Sequence, residues 1–180
     1  SYTVIGTISD ANYQGGATNT LVIGKGGATV VLTNLAQTYD GTTKCASAST
    51  TPSGLTVDLT YDGSSVCPTN ASSYIVIGTI SDANYQGSAT NTLVISKGTA
   101  SVNLSSLSQT YDGGAKCAFA ATTPSGLVVI LTYDGSLACP TNAGSYTVVA
   151  RVSDTNYTGA ITNTLVIAKA SALVSLTNLS

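Results

Sequence analysis

Apolar and polar residues alternate along most of this chain, and the alternation has a period of two. At 74–82, YIVIGTISD, residues Tyr74, Val76, Gly78 and Ile80 fall on one side, and Ile75, Ile77, Thr79 and Ser81 on the other. The same segment returns at 146–153, where the first side reads Tyr146, Val148, Ala150, Val152 and the second Thr147, Val149, Arg151, Ser153. An unpaired arginine is costly inside a small core, so the tyrosine-led side is expected to face inward. At 55–61 the same rule turns Leu55, Val57, Leu59 and Tyr61 in, and Thr56, Asp58 and Thr60 out. Further strands are predicted at 28–35, 44–49 and 89–95. Turn chemistry separates them: Tyr39-Asp40-Gly41, Thr51-Pro52-Ser53-Gly54, Tyr61-Asp62-Gly63 and Asp82-Ala83-Asn84. No stretch carries helical spacing. The pattern predicts an all-β chain whose short strands, spaced by about ten residues, form an antiparallel sandwich of two sheets.

The pattern also repeats every 72 residues: Tyr2 recurs as Tyr74 and Tyr146, Cys45 as Cys117, and Cys67 as Cys139. SDANYQG at 9–15 returns at 81–87, and as SDTNYTG at 153–159. A fixed period of this length describes an array of small domains. The lysine after each LVI strand, Lys25, Lys97 and Lys169, is the natural seam. It gives complete domains at 25–96 and 97–168, the end of one domain at 1–24, and the opening strand of another at 169–180. A seam of so few residues leaves little hinge freedom, so a stiff rod or fibre is expected. Either the chain is a window on a longer repeat protein, or neighbouring copies complete its partial ends by strand donation.

Composition narrows the function. Only 8% of residues are charged, against roughly 25% in ordinary globular chains. There is no Glu, His, Met or Trp, while Ser and Thr make up 52 of the 180 residues. The net charge is −2, which offers no basic patch for nucleic acid. No apolar run approaches the roughly 18 residues of a membrane span, so no membrane insertion is expected. A hydroxyl-rich, charge-poor surface suits packing against copies of itself, or a coat of covalent glycan. Thr7, Thr56 and Thr60 are the candidate O-glycosylation positions, because they fall on outward strand positions. Asn-x-Ser/Thr sequons at Asn70, Asn103, Asn156 and Asn178 occupy unrelated places in the repeat and read as chance.

Four cysteines allow three pairings. The repeat favours Cys45–Cys67 and Cys117–Cys139, each closing 22 positions, with cross-links between repeats or chains as the alternative. No CxxC exists to hold zinc. Structural disulfides point to an oxidising, extracellular setting.

Catalysis is poorly provided for, and neither an enzyme nor a cofactor is expected. Without His or Glu, general acid–base groups reduce to Asp, Lys and Tyr. Every Asp except Asp58 lies in a repeated turn, where it caps backbone more often than it reacts. Asp10 with Asn12, Asp82 with Asn84 and Asp154 with Asn156 supply too few oxygens for Ca²⁺. Lys44 and Lys116 are the lysines available for an internal isopeptide link. Tyr13, Tyr85 and Tyr157 lie beside turns where a sugar ring could stack, whereas Tyr2 and Tyr61 fall on inward faces.

The two cysteine-bearing repeats differ in one direction. Ser47 becomes Phe119, Thr56 becomes Val128, Asp58 becomes Ile130 and Ser65 becomes Leu137. Phe119, Val128, Ile130 and Leu137 are therefore expected to form one exposed apolar patch and a self-assembly interface.

The ordered motifs YDG, TPSGL, LTYDG, CPTNAGSY, SDANYQG and NTLVI-x-K resemble MBG/YDG-type repeats of large bacterial surface, adhesin-like proteins. The resemblance covers essentially the whole chain. It implies tandem immunoglobulin-like β-sandwiches at the cell surface, and it brings no catalytic residues. The expected function is a structural component of an extracellular bacterial filament or stalk, self-assembling through strand donation or lateral packing. The alternative is an adhesin or carbohydrate-binding surface module.

Overall fold

The computed structural model describes residues 1–175; residues 176–180 lie outside it. Among the described residues every regular element is a strand. A hairpin of β1 (Tyr2–Thr7) and β2 (Gly16–Leu21) comes first. Eight strands follow: β3 (Gly26–Gly27), β4 (Thr29–Thr33), β5 (Ala36–Thr38), β6 (Ser47–Thr51), β7 (Val57–Tyr61), β8 (Ser72–Ile80), β9 (Tyr85–Gln86) and β10 (Ser88–Ser96). The same eight recur 72 residues later as β11 (Gly98–Thr99), β12 (Ser101–Ser105), β13 (Ser108–Thr110), β14 (Phe119–Thr123), β15 (Val129–Tyr133), β16 (Gly144–Val152), β17 (Tyr157–Thr158) and β18 (Ala160–Ala168).

The last repeat displays the architecture in full. A four-stranded sheet, in the order β13-β18-β16-β15, faces a two-stranded sheet of β12 and β14. Leu104 and Ala118 meet Tyr133, Val148, Ala150, Leu165 and Ile167 in a single core. This is an immunoglobulin-like sandwich with one sheet reduced to two strands. Most ladders are antiparallel, but β13 runs parallel to β18 and β11 parallel to β17. The tight connection at Asp134-Gly135 explains why β15 ends sharply. Both residues have positive φ, 46° and 87°, and Tyr133 and Ser136 exchange backbone hydrogen bonds across them.

The inward assignment holds: Val76, Gly78 and Ile80 are buried while Ile75, Ile77 and Thr79 are exposed. Burial of Leu93 and Leu165, both at 0% exposure, contributes roughly 2–3 kcal/mol each. In the β1–β2 ribbon the matching residues Tyr2, Val4, Leu21 and Ile23 are exposed, because among the described residues no second sheet covers them.

Two expectations shift. The strand expected at 44–49 is found at Ser47–Thr51. The approach to it is held by a disulfide at Cys45 and by the Ala46 N–H, which donates to the Tyr61 hydroxyl rather than to a ladder. The opening strand expected at 169–180 is absent over 169–175, and its remainder lies outside the described residues. In the complete repeats the corresponding strand, β4, pairs with β6.

Contacts group the chain into two compact units. One comprises Ser1–Leu35, Cys45–Pro68 and Tyr74–Leu93; the other comprises Ala36–Lys44, Thr69–Ser73 and the chain from Val94 on. The division does not follow the lysine seams, since 36–44 and 69–73 group with the last repeat.

Candidate functional site

Two kinds of local chemistry recur: a cystine staple within each complete repeat, and a polar-aromatic cluster around the Lys97 seam.

Cys45 joins Cys67 and Cys117 joins Cys139, with Cα atoms 5.1 Å apart in both. Each bridge ties the segment just before β6 or β14 to the loop that follows the tight turn after β7 or β15. The adjacent tyrosine supplies a second tie that the alternation pattern does not reveal. The Tyr61 hydroxyl accepts the buried Ala46 N–H at 3.0 Å and lies 3.7 Å from Cys67 Sγ. A disulfide sulfur carries no hydrogen, so the hydroxyl donates to it. Tyr133 repeats the bond to the Ala118 N–H at 2.9 Å. Tyr133→Phe leaves a buried N–H without its acceptor, and chemical denaturation should show a loss of about 1–3 kcal/mol.

The turn carboxylates are engaged by their own backbone. Asp10, Asp82 and Asp154 each accept the N–H groups two and three residues on, at 2.7–3.1 Å. Asp62 and Asp134 accept from Ile75 and Thr147. Asp40 accepts from Lys44 Nζ at 2.6 Å and from the hydroxyl and N–H of Thr42, which hold its carboxyl well below the ordinary 3.8. Lys116 and the Gly114 N–H lower Asp112 in the same way. Lys44 and Lys116 are half-buried but pair with exposed carboxylates, and no acid is buried among the described residues.

A depressed folded pKa stabilises above the unfolded value and is lost as pH falls through the folded one. The Asp40 and Asp112 pairs should therefore contribute unchanged at neutral pH and weaken only below about 3.8. NMR titration should show the Asp40 carboxyl returning toward 3.8 in Lys44→Met.

Phe119, Val128, Ile130 and Leu137 are all exposed, at 46–72%. They do not share a sheet. Phe119 starts β14 of the two-stranded sheet, Ile130 lies on β15 of the four-stranded one, Val128 immediately precedes β15, and Leu137 lies in the loop beyond it. Alternation separates inward from outward but does not say which sheet a residue joins. Thr7 and Thr56 are exposed and Thr60 half-buried.

The seam cluster lies within the second unit. Lys97 Nζ donates to the Asp154 carbonyl at 2.5 Å, as Lys25 does to Asp82 at 2.7 Å. Asn156 accepts the Ala71 N–H at 2.8 Å and donates to Asn70 Oδ1 at 3.2 Å. The rings of Tyr39 and Tyr157 meet edge to face at 5.2 Å. Gly98 lies where a Cβ would come 2.7 Å from the Tyr39 carbonyl oxygen and 3.2 Å from the Tyr157 ring. Residues of consecutive repeats thus interlock through two asparagines and two tyrosines. In sequence, Asn70 and Asn156 stand out only as sequons, and Asn156 as a turn oxygen beside Asp154. The available signal was their recurrence as Asn142, Asn84 and Asn12 at the repeat offset. Asn103 is exposed on β12, and Asn178 lies outside the described residues.

A family model of the MBG domain matches three consecutive segments, 1–27, 28–99 and 100–171. No curated protein matches the chain.

Proposed function

Because this chain belongs to the MBG domain family, we propose that it is a structural segment of an extracellular bacterial filament or surface stalk. The observation that carries this reading is the succession of three family-matched modules, the two complete ones each stapled by a cystine. The modules are of the surface-protein repeat kind, and disulfides fit an oxidising space outside the cell. The work is mechanical: sheets resist extension, staples limit how much chain a pulled repeat releases, and a hydroxyl-rich surface resists proteases and accepts glycan at positions such as Thr7 and Thr56. Assembly proceeds through copies of itself, by strand donation or by lateral packing, with the exposed Phe119 serving one sheet and Val128, Ile130 and Leu137 on or beside β15 serving the other. No catalysis, cofactor, nucleic acid or membrane insertion enters this reading, and the turn carboxylates act as backbone caps.

The adhesin or carbohydrate-binding alternative needs a repeated open tyrosine. Tyr13 is open, but Tyr85 packs over Gly26 and Tyr157 against Tyr39, which favours the filament. Electron microscopy of intact source cells, labelled with an antibody to residues 25–168, tests the proposal. Label along surface filaments is expected; label confined to the cell interior would overturn it.

A further inference from the structure

Charge is scarce in this chain, and almost all of it lies outside the strands. Asp58 on β7 and Arg151 on β16 are the two charged residues that lie in strands among the described residues. Every other side-chain carboxylate accepts a backbone N–H. Asp58 and Arg151 are exposed, and among the described residues no hydrogen bond or ion pair engages either. They are the two halves of one cross-strand position. Asp58 stands opposite Thr79 across β7 and β8. At the matching place 72 positions on, Ile130 stands opposite Arg151 across β15 and β16. Within one sheet such an acid and base would be direct neighbours and would pair. Divided between successive repeats, each faces an uncharged residue instead. The 25–96 repeat has chain of the array on both sides, and its Asp58 and Thr79 are exposed all the same.

Resting on the lateral-packing reading above, we propose that the outward face of β7 and β8 in one copy docks on the outward face of β15 and β16 in a second copy, with Asp58 of the first paired to Arg151 of the second. Charge complementarity names the occupant. Each face carries a single unengaged charge, of opposite sign, and a second copy supplies the missing partner. A guanidinium fork and a carboxylate match in two parallel hydrogen bonds. The surroundings suit such a pair. The next cross-strand row is Thr60 with Ile77 on the acidic face and Thr132 with Val149 on the basic one. Ile77 and Ile130 are exposed and Val149 is half-buried, so docking covers apolar surface around the charges. Excluding water and salt there strengthens the pair over a bare surface one. The acidic and basic faces are different surfaces. A copy docked through one still offers the other, so association extends beyond a pair.

Sedimentation of the 180-residue chain across micromolar to millimolar concentration tests this. Concentration-dependent association that weakens as salt is raised is expected. Asp58→Arg and Arg151→Asp should each weaken it about tenfold or more, because each sets like charges against each other. Both side chains are exposed and unengaged, so each variant should keep the parent's thermal midpoint. One variant carries a base at both positions and the other an acid at both. An equal mixture should therefore associate where each alone does not. The double exchange, Asp58→Arg with Arg151→Asp, should recover association by itself. A chain that is monomeric throughout, association indifferent to the reversals, or a mixture no different from its components would overturn the proposal. Surface labelling reads the filament proposal separately, so a monomeric chain that still labels surface filaments would sink the docking face alone.

Discussion

Removing one staple, by Cys117→Ala/Cys139→Ala, should cost its repeat about 3 kcal/mol. The bridge closes a 22-position loop, and the entropy it removes from the unfolded chain is worth about that much. A domain of this size has a net stability of only about 5 kcal/mol, so the change is a large share of the whole. In a 72-residue repeat it corresponds to a fall of roughly 15 °C in the midpoint for that repeat. The 25–96 repeat keeps its own bridge, so calorimetry should split one transition into two, with the lower one assigned to 97–168. Reduction of the parent chain should lower both together.

Gly159→Ala should be comparably damaging, through backbone crowding. A Cβ on Gly159 would lie 2.1 Å from the Ala100 carbonyl oxygen and 3.1 Å from its carbon. The Ala100 N–H is bonded to the Thr158 carbonyl at 2.8 Å, so the two segments cannot separate without breaking that bond. Overpacking against fixed backbone costs about 3 kcal/mol at its upper end. Gly87→Ala meets Ala28 at the same 2.1 Å and should behave alike. Gly15→Ala is the internal control. Its Cβ would meet only the Ile8 side chain, at 3.1 Å, and the flexible end of that side chain can give way. Its cost should stay below about 1 kcal/mol. Equilibrium unfolding of the three variants should therefore rank Gly159→Ala and Gly87→Ala together, well apart from Gly15→Ala.

The glycine of SDANYQG illustrates what a sequence exposes and what it hides. Its recurrence was visible, but the reason at Gly87 and Gly159, a carbonyl that would lie 2.1 Å from any added Cβ, depends on a segment almost sixty residues upstream. The β class, the inward face led by Tyr74 and Tyr146, the turns and the cystine partners were legible, because each follows from local alternation, turn chemistry or the period. The sheet membership of Phe119 and Ile130 was not, because alternation has two outcomes and a sandwich has two sheets. The start of the strand after Cys45 moved because a side-chain hydroxyl, that of Tyr61, took a backbone donor that strand prediction assigns to a ladder. The seam role of Asn70 and Asn156, which read only as sequons and a turn oxygen, was not legible because their partners sit in different repeats, 86 and 85 positions apart.

The account rests on repeats that bear tension and release chain only up to their staples. Pulling single molecules of the 180-residue chain, oxidised and then reduced, measures this directly. The account predicts discrete unfolding events for the two complete repeats. The length released per event should grow on reduction by about 75 Å, the 22 bridged positions at roughly 3.4 Å each. Featureless extension at low force, or equal lengths in the two conditions, would contradict it.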